Sequence, residues 1–232
     1  MTPAARLATL LVATPALAAL SGCAAVRPAA MALPAELAAA VAEPVAGIGS
    51  GRSGSFVLGG GQGRFERGRD RLDLFEAVSF DRARTRYTWV GADGRRSQAA
   101  CLGRQTTASV GVAVAQPRPF TFECEWSGAL PARMTVSAPS WIPGSRAERS
   151  GRFSSEGVEL ELRSVHRVQG SPLELEAPIG YTVSHAGRPV GAIELNGNAP
   201  RLWRPAPTSP LHEPVTLAAL ALALLWDPAG DS

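Results

Sequence analysis

Apolar and polar residues alternate along most of this chain, in short runs punctuated by glycine. Phe120, Phe122, Cys124 and Trp126 fall on one side of such a run, with Thr121, Glu123 and Glu125 on the other. A period of two is that of a β-strand with one buried face. Glu159-Leu160-Glu161-Leu162-Arg163 alternates in the same way, and residues 107–115 do so through Val110, Val112 and Val114. Turn signals separate the runs at roughly ten-residue spacing. Gly59-Gly60-Gly61-Gln62-Gly63 lies between residues 55–58 and 64–67, Asp93-Gly94 follows 86–90, Ala186-Gly187 joins 181–183 to 190–195 as a hairpin, and Asn196-Gly197 makes another. From residue 55 to about 204 the pattern predicts antiparallel strands in a sandwich or barrel.

The C-terminal stretch breaks the alternation. Ser209-Pro210 is a helix start, Pro214 a later one, and from Val215 to Trp226 every residue except Thr216 is apolar. Twelve residues at 1.5 Å each rise about 18 Å, well short of the roughly 30 Å of a hydrocarbon core. A helix apolar on every side belongs inside something. The fold class expected is therefore mainly β, an antiparallel sandwich or barrel with one buried hydrophobic C-terminal helix at about 214–226, ended by Asp227-Pro228. Residues 55–232 form one domain.

At the other end, residues 7–20 carry no charge and follow Arg6. That is the pattern of a signal peptide, residues 1–22, and is too short to span a bilayer as a helix. The run ends in Leu20-Ser21-Gly22-Cys23. An aliphatic residue, two small residues and a cysteine resemble the lipobox of bacterial lipoproteins. The resemblance implies a diacylglyceryl group on the Cys23 thiol, cleavage before it, and a lipidated N-terminus. Two or three acyl chains, at about 0.8 kcal/mol per buried CH₂, hold a protein in the membrane for good. Ala24, where an aspartate would favour retention, implies the outer membrane, facing the periplasm. The rival is ordinary cleavage after Ala16-Leu17-Ala18, leaving Cys23 a spare thiol. Residues 23–54 read as lipidated cysteine, Ala/Pro/Arg-rich tether, a short helix within 34–43 and a Gly/Ser-rich lead.

Export changes the reading of the two remaining cysteines. Cys101 and Cys124 are an even pair in an oxidising compartment, where a disulfide forms readily. Two buried free thiols are the alternative; a tight turn near Pro117 would set Cys124 opposite a residue near Val110, and the bridge would then need a neighbouring strand or a longer loop.

Composition removes some function classes. Of 232 residues, 45% are hydrophobic and 19% charged, as in globular domains. The formal net charge is +3, and loss of Arg6 with the signal leaves about +2, too little for nucleic acid. All 23 Lys+Arg residues are arginine. A Schiff-base lysine and the usual P-loop are therefore excluded.

Candidate chemistry is sparse. Gly49-Ser50-Gly51-Arg52-Ser53-Gly54 fits a dinucleotide motif in spacing but precedes a strand rather than a helix, so it reads as a lead into the domain. His166, His185 and His212 lie far apart, which gives no metal spacing and no catalytic grouping. His166, beside Arg163 and Arg167, reads as part of a solvated face. The pairs Glu159/Glu161 and Glu174/Glu176 read as the wet side of strands. Arg64, Arg67, Arg69, Arg71, Arg82, Arg84 and Arg86 are interleaved with Glu66, Asp70, Asp73 and Asp81. They form an ion-pair surface or face anionic lipid headgroups or lipopolysaccharide phosphate.

An all-β body ending in a buried apolar helix also resembles the Tubby-like family, with its scramblase-type and LURP-type domains, over the last third of the chain. The function expected is that of a lipid-anchored envelope lipoprotein, a non-enzymatic binding or structural module. Its partners are the membrane, through N-terminal acyl chains, and a protein or lipid; no nucleic acid, metal or cofactor is expected. The alternatives are an envelope hydrolase using carboxylates or a histidine that the sequence does not pair, which a pocket converging on His166, Glu159 and Glu161 would support, and a lipid-binding Tubby-like barrel.

Overall fold

The computed structural model describes residues 29–75, 77–110, 113–139, 147–172 and 174–226. The signal peptide and Cys23, with residues 24–28, lie outside the described residues, as does Asp227-Pro228. Among the described residues twelve strands follow one another: β1 Glu43–Pro44, β2 Ser53–Leu58, β3 Gly61–Leu74, β4 Val78–Val90, β5 Arg96–Val110, β6 Ala113–Gly128, β7 Ala132–Ser137, β8 Ser150–Ser155, β9 Val158–Val165, β10 Gly180–His185, β11 Arg188–Glu194 and β12 Arg201–Trp203. Among the same residues one α-helix, α1, spans His212–Leu224.

From β2 to β12 each strand pairs antiparallel with its neighbours in sequence, and β1 pairs with β12. Of the two predicted architectures, the molecule is the barrel, and it is nearly closed. The closing piece is short. Glu43 and Pro44 pair with Leu202 and Arg201, and Ala46 then exchanges backbone hydrogen bonds of 3.0 and 2.9 Å with Val57 of β2.

Residues 29–54 are therefore part of the domain rather than a tether. Met31 bridges Val168, and its N–H donates to the buried Glu194 carboxylate at 2.7 Å. The expected helix at 34–43 is only a 3₁₀ turn, Ala35–Leu37. This segment lies against the outer wall. Leu37 and Met31 join Ile179, Ala192 and Trp203 in a second apolar cluster, separate from the barrel interior.

Inside the barrel is α1, begun at His212 rather than at Pro214. Every residue from Pro214 to Leu224 is buried. Alanines at 218, 219, 221 and 223 keep the helix narrow enough for the wall to close round it. At Gly191 a Cβ would lie 2.6 Å from Val215 Cγ1, so β11 can approach the helix only with glycine there. The facing wall supplies Phe56, Phe65, Tyr87, Trp89, Phe122 and Phe153 among its inward side chains. Two aromatic polar groups of the interior are paired with each other and with the helix. The Tyr87 hydroxyl donates to the Leu217 carbonyl at 2.9 Å and accepts from Trp126 Nε1 at 2.8 Å. Burial pushes the Tyr87 phenol far above its usual range.

Cys101 and Cys124 form a disulfide, directly across the β5–β6 ladder with Cα atoms 4.1 Å apart. The register expected from a turn at Pro117 is wrong, because β6 runs straight through Pro117 and Pro119. Val110 pairs with Ala113, so the run 107–115 belongs to two strands, β5 and β6. The prolines are tolerated for two reasons. The β5–β6 register shifts at Arg104/Thr106 and again at Thr106/Ala108, and β7 pairs with β6 only from Thr121 onward. Neither edge at Pro117 needs a regular donor.

Odd-numbered strands all run the same way, so their C-terminal ends share one mouth. α1 enters at the opposite mouth, after β12, and ends at this one, where Thr85 Oγ1 donates to Leu224 O at 3.3 Å. At this exit mouth β3 continues past its last β2 partner, Glu66, to Leu74. Together β3 to β6 form a four-stranded overhang beyond the closed wall.

Candidate functional site

The residues singled out from sequence separate according to the face of the wall on which alternation places them. The arginine cluster divides in two. Along β3 and β4 the odd positions face inward, carrying Phe65, Arg67, Arg69, Arg71, Asp81 and Tyr87, while Arg64, Arg82, Arg84 and Arg86 face out. Asp81 is buried, with Arg71 Nε 2.8 Å and Arg69 Nη2 3.6 Å from its Oδ1. The Arg67 guanidinium donates to the carbonyls of Gly51 and Gly49, and lies 5.1 Å from the Phe65 ring centroid and 5.3 Å from that of Trp226. Burial holds its pKa below the usual arginine value. On the outer side Arg84 pairs with Asp70, Arg104 with Glu123 and Arg133 with Glu125. These exposed pairs contribute little to stability, on the order of 0–1 kcal/mol each.

His166 is not on a solvated face. It shares the parity of Leu160 and Leu162, opposite to Arg163 and Arg167, and is buried at the exit mouth. Its Nδ1 is 3.0 Å from the Leu175 carbonyl and its Nε2 2.9 Å from Ser164 Oγ. A carbonyl only accepts, so Nδ1 carries the proton and Nε2 accepts from the serine hydroxyl. Ser164 Oγ in turn accepts from the Arg149 backbone N–H at 2.8 Å. A serine donating to a histidine has the geometry of a nucleophile and its base. Here both members are engaged in joining β9 to the segments before β8 and after Val168. The Arg149 guanidinium, likewise buried, stacks on Phe120 with 3.9 Å to the ring centroid.

The carboxylate pairs do not converge on this histidine. Glu159 and Glu161 are exposed on the outer side of β9, and Glu174 pairs with Arg167. His185 Nδ1 meets the Glu159 carbonyl at 2.8 Å beside the Ala186-Gly187 turn, and His212 Nδ1 the Pro205 carbonyl at 2.7 Å. Among the described residues no cluster of three or more His, Cys, Asp or Glu side chains could hold a metal ion.

The entry mouth carries a polar knot that sequence reasoning missed. Arg204 Nε and Nη2 donate to both oxygens of Glu43, at 2.7 and 2.8 Å, and Nη1 donates to Thr216 Oγ1 at 3.0 Å. One guanidinium thus joins the closing strand to the first turn of α1. The hydrogen bond from Arg204 holds the Glu43 carboxyl below its usual pKa, against the opposing effect of burial. A bidentate partner for Glu43 could not be read from a chain in which it stands 161 residues away.

Described surface depressions lie on or at the rim of the wall. One runs over Arg82, Arg84, Arg86, Glu123, Glu125 and Arg133, and another over Ser137, Arg149, Arg163, His166 and Glu174 at the exit mouth. Among the described residues no helix is long and apolar enough to cross a membrane. No family model matches the chain, and neither does any curated protein or any solved structure.

Proposed function

We propose that this protein is a lipid-anchored cell-envelope lipoprotein, attached through acyl chains on Cys23 to the outer membrane and facing the periplasm, and that it acts as a non-enzymatic binding or structural module. The observation carrying the non-enzymatic part is the filled interior. α1 occupies the barrel along its axis, with Val215 to Leu224 buried against the wall. A lipid held inside would need the space the helix occupies, and the groups expected for a hydrolase do not meet: Glu159 and Glu161 are exposed on the outer side of β9, while His166, just past its end, is buried. A barrel of this kind works from its surface. A twelve-stranded meander threaded by a C-terminal apolar helix also supports the Tubby-like resemblance, as an architecture. The signal-peptide pattern and the sequence Leu20-Ser21-Gly22-Cys23 support the anchor. Metabolic labelling with a clickable fatty-acid analogue tests it. Wild type should take up label and Cys23→Ser none; an unlabelled wild type would end the lipoprotein reading.

A further inference from the structure

The overhang ends in an apolar tip. Leu72, Leu74 and Phe80 are 60%, 42% and 38% exposed, and Phe75 is 99% exposed. Leu72 pairs with Phe80 and Leu74 with Val78, so these side chains stand together on one face of the β3–β4 hairpin, while Asp73 alternates to the other. Phe75 also has φ of 52°. A bulky residue in the left-handed region costs on the order of 1–2 kcal/mol, and at 99% exposure no contact among the described residues offsets it. Strain kept at an exposed aromatic residue points to a use outside the fold.

The surroundings identify the partner. Below the tip on the same face lie Arg82, Arg84 and Arg104, with Asp70 beside Arg84 and Glu123 beside Arg104; on the opposite face Arg69 and Arg71 flank Asp81. Apolar side chains ahead of a collar of guanidinium groups suit a phospholipid surface, where the tip enters the acyl boundary and the cations lie at phosphate depth. Position agrees. Met31, where the described chain begins to pack, is bound to Glu194, the last residue of β11, and to Val168 just past the end of β9, at the same exit mouth. Cys23 precedes it by eight residues, which reach at most about 29 Å. From Arg67 to Leu74 the overhang runs about 23 Å along the strand. A chain anchored at Cys23 cannot hold this mouth far from the bilayer.

We infer that the β3–β4 tip, Leu72, Leu74, Phe75 and Phe80, is a second membrane contact, inserting into the bilayer that carries the acylated N-terminus and setting the barrel with its exit mouth towards the lipid. The orientation rests on the lipoprotein reading; the insertion does not. The test uses the mature, disulfide-bonded protein in vesicles containing bromine-labelled lipid, with an apolar fluorophore on Phe75→Cys or, as control, on Ala92→Cys at the entry mouth. Fluorescence at position 75 should be quenched by more than half and at position 92 hardly at all. Leu72→Ser with Leu74→Ser and Phe80→Ser should remove the quenching at 75, and anionic phospholipid should strengthen it. Equal, weak quenching at both positions would overturn the inference, as would quenching at 75 that survives the triple serine variant. The mass of the N-terminal fragment reads acylation of Cys23 independently. If it is unmodified, the same labelled proteins are added to preformed bromolipid vesicles, so failure of the anchor and failure of the tip are separate results.

Discussion

Two stretches of the outer wall carry apolar side chains, and the chain treats them differently. Over β11 and β12, Ala192 and Trp203 are covered by residues 31–42 and become buried. On the β3–β4 overhang, Leu72, Leu74, Phe75 and Phe80 are overlaid by no other segment among the described residues and stay largely exposed. Both patches are outward-facing, so the position of a residue in the wall does not decide its burial. What differs is a cover. The first patch belongs to the folding of the molecule. The second adds nothing to folding and costs solubility, which is the signature of a surface kept for an interaction.

The largest effect should come from uncovering the first patch. Trp203→Ala removes a side chain that is only 6% exposed and should lower unfolding free energy by about 3–5 kcal/mol. A denaturant titration measures this, and a loss below about 1 kcal/mol would mean that residues 31–42 do not act as a cover. Next comes the knot that fixes the closing strand beside that cover. Glu43→Gln leaves one hydrogen-bond acceptor for Arg204 but no charge, and should cost about 1 kcal/mol at neutral pH after allowance for partial solvent exposure. The folded-state pKa of Glu43 is depressed, so its contribution is present above the unfolded value near 4.5 and fades as the pH falls through the lowered folded value. Melting curves of wild type and variant should draw together as the pH falls from the unfolded value through the lowered folded one, and a constant gap would assign the effect to packing. The smallest effect belongs to the exposed tip. In Phe75→Gly, relief of the left-handed backbone and the greater freedom of the unfolded glycine nearly cancel, so stability should change by less than about 1 kcal/mol. A large loss would show that Phe75 has a partner within the fold.

Much of the wall could be read from the sequence, because period-two alternation is a local property and the Gly-Gly, Asp-Gly and Ala-Gly turns are local as well. The helix was equally legible: apolar residues on every side of a segment too short for a membrane leave only an interior. Closure was not legible. It rests on Glu43-Pro44, a pair with no strand character, and on partners near residue 202. The disulfide followed from the compartment, while its register was obscured by prolines that only an irregular, half-free edge accepts. His166 was misplaced by one step of parity, since neighbouring arginines on the other face of β9 were taken as its company. The tip was missed for a related reason. Leu72, Leu74 and Phe80 are diluted by charges, and the charged residues set the reading. An aromatic residue in the turn after Leu72-Asp73-Leu74 was the available signal, and only the length of the overhang turns it into exposure.

The closing strand has a further consequence for the order of assembly. Residues 43–46 leave the ribosome early, yet their partners at 201–202 come near the end of the chain, and the helix that fills the interior comes later still. Neither ring closure nor filling can occur until almost all of the polypeptide is available. Contacts of such high sequence separation fold slowly, over milliseconds to seconds for related topologies. For that interval the sheet has two open edges and an apolar concave face. A chain built in this way depends on being kept from its neighbours until its last residues arrive.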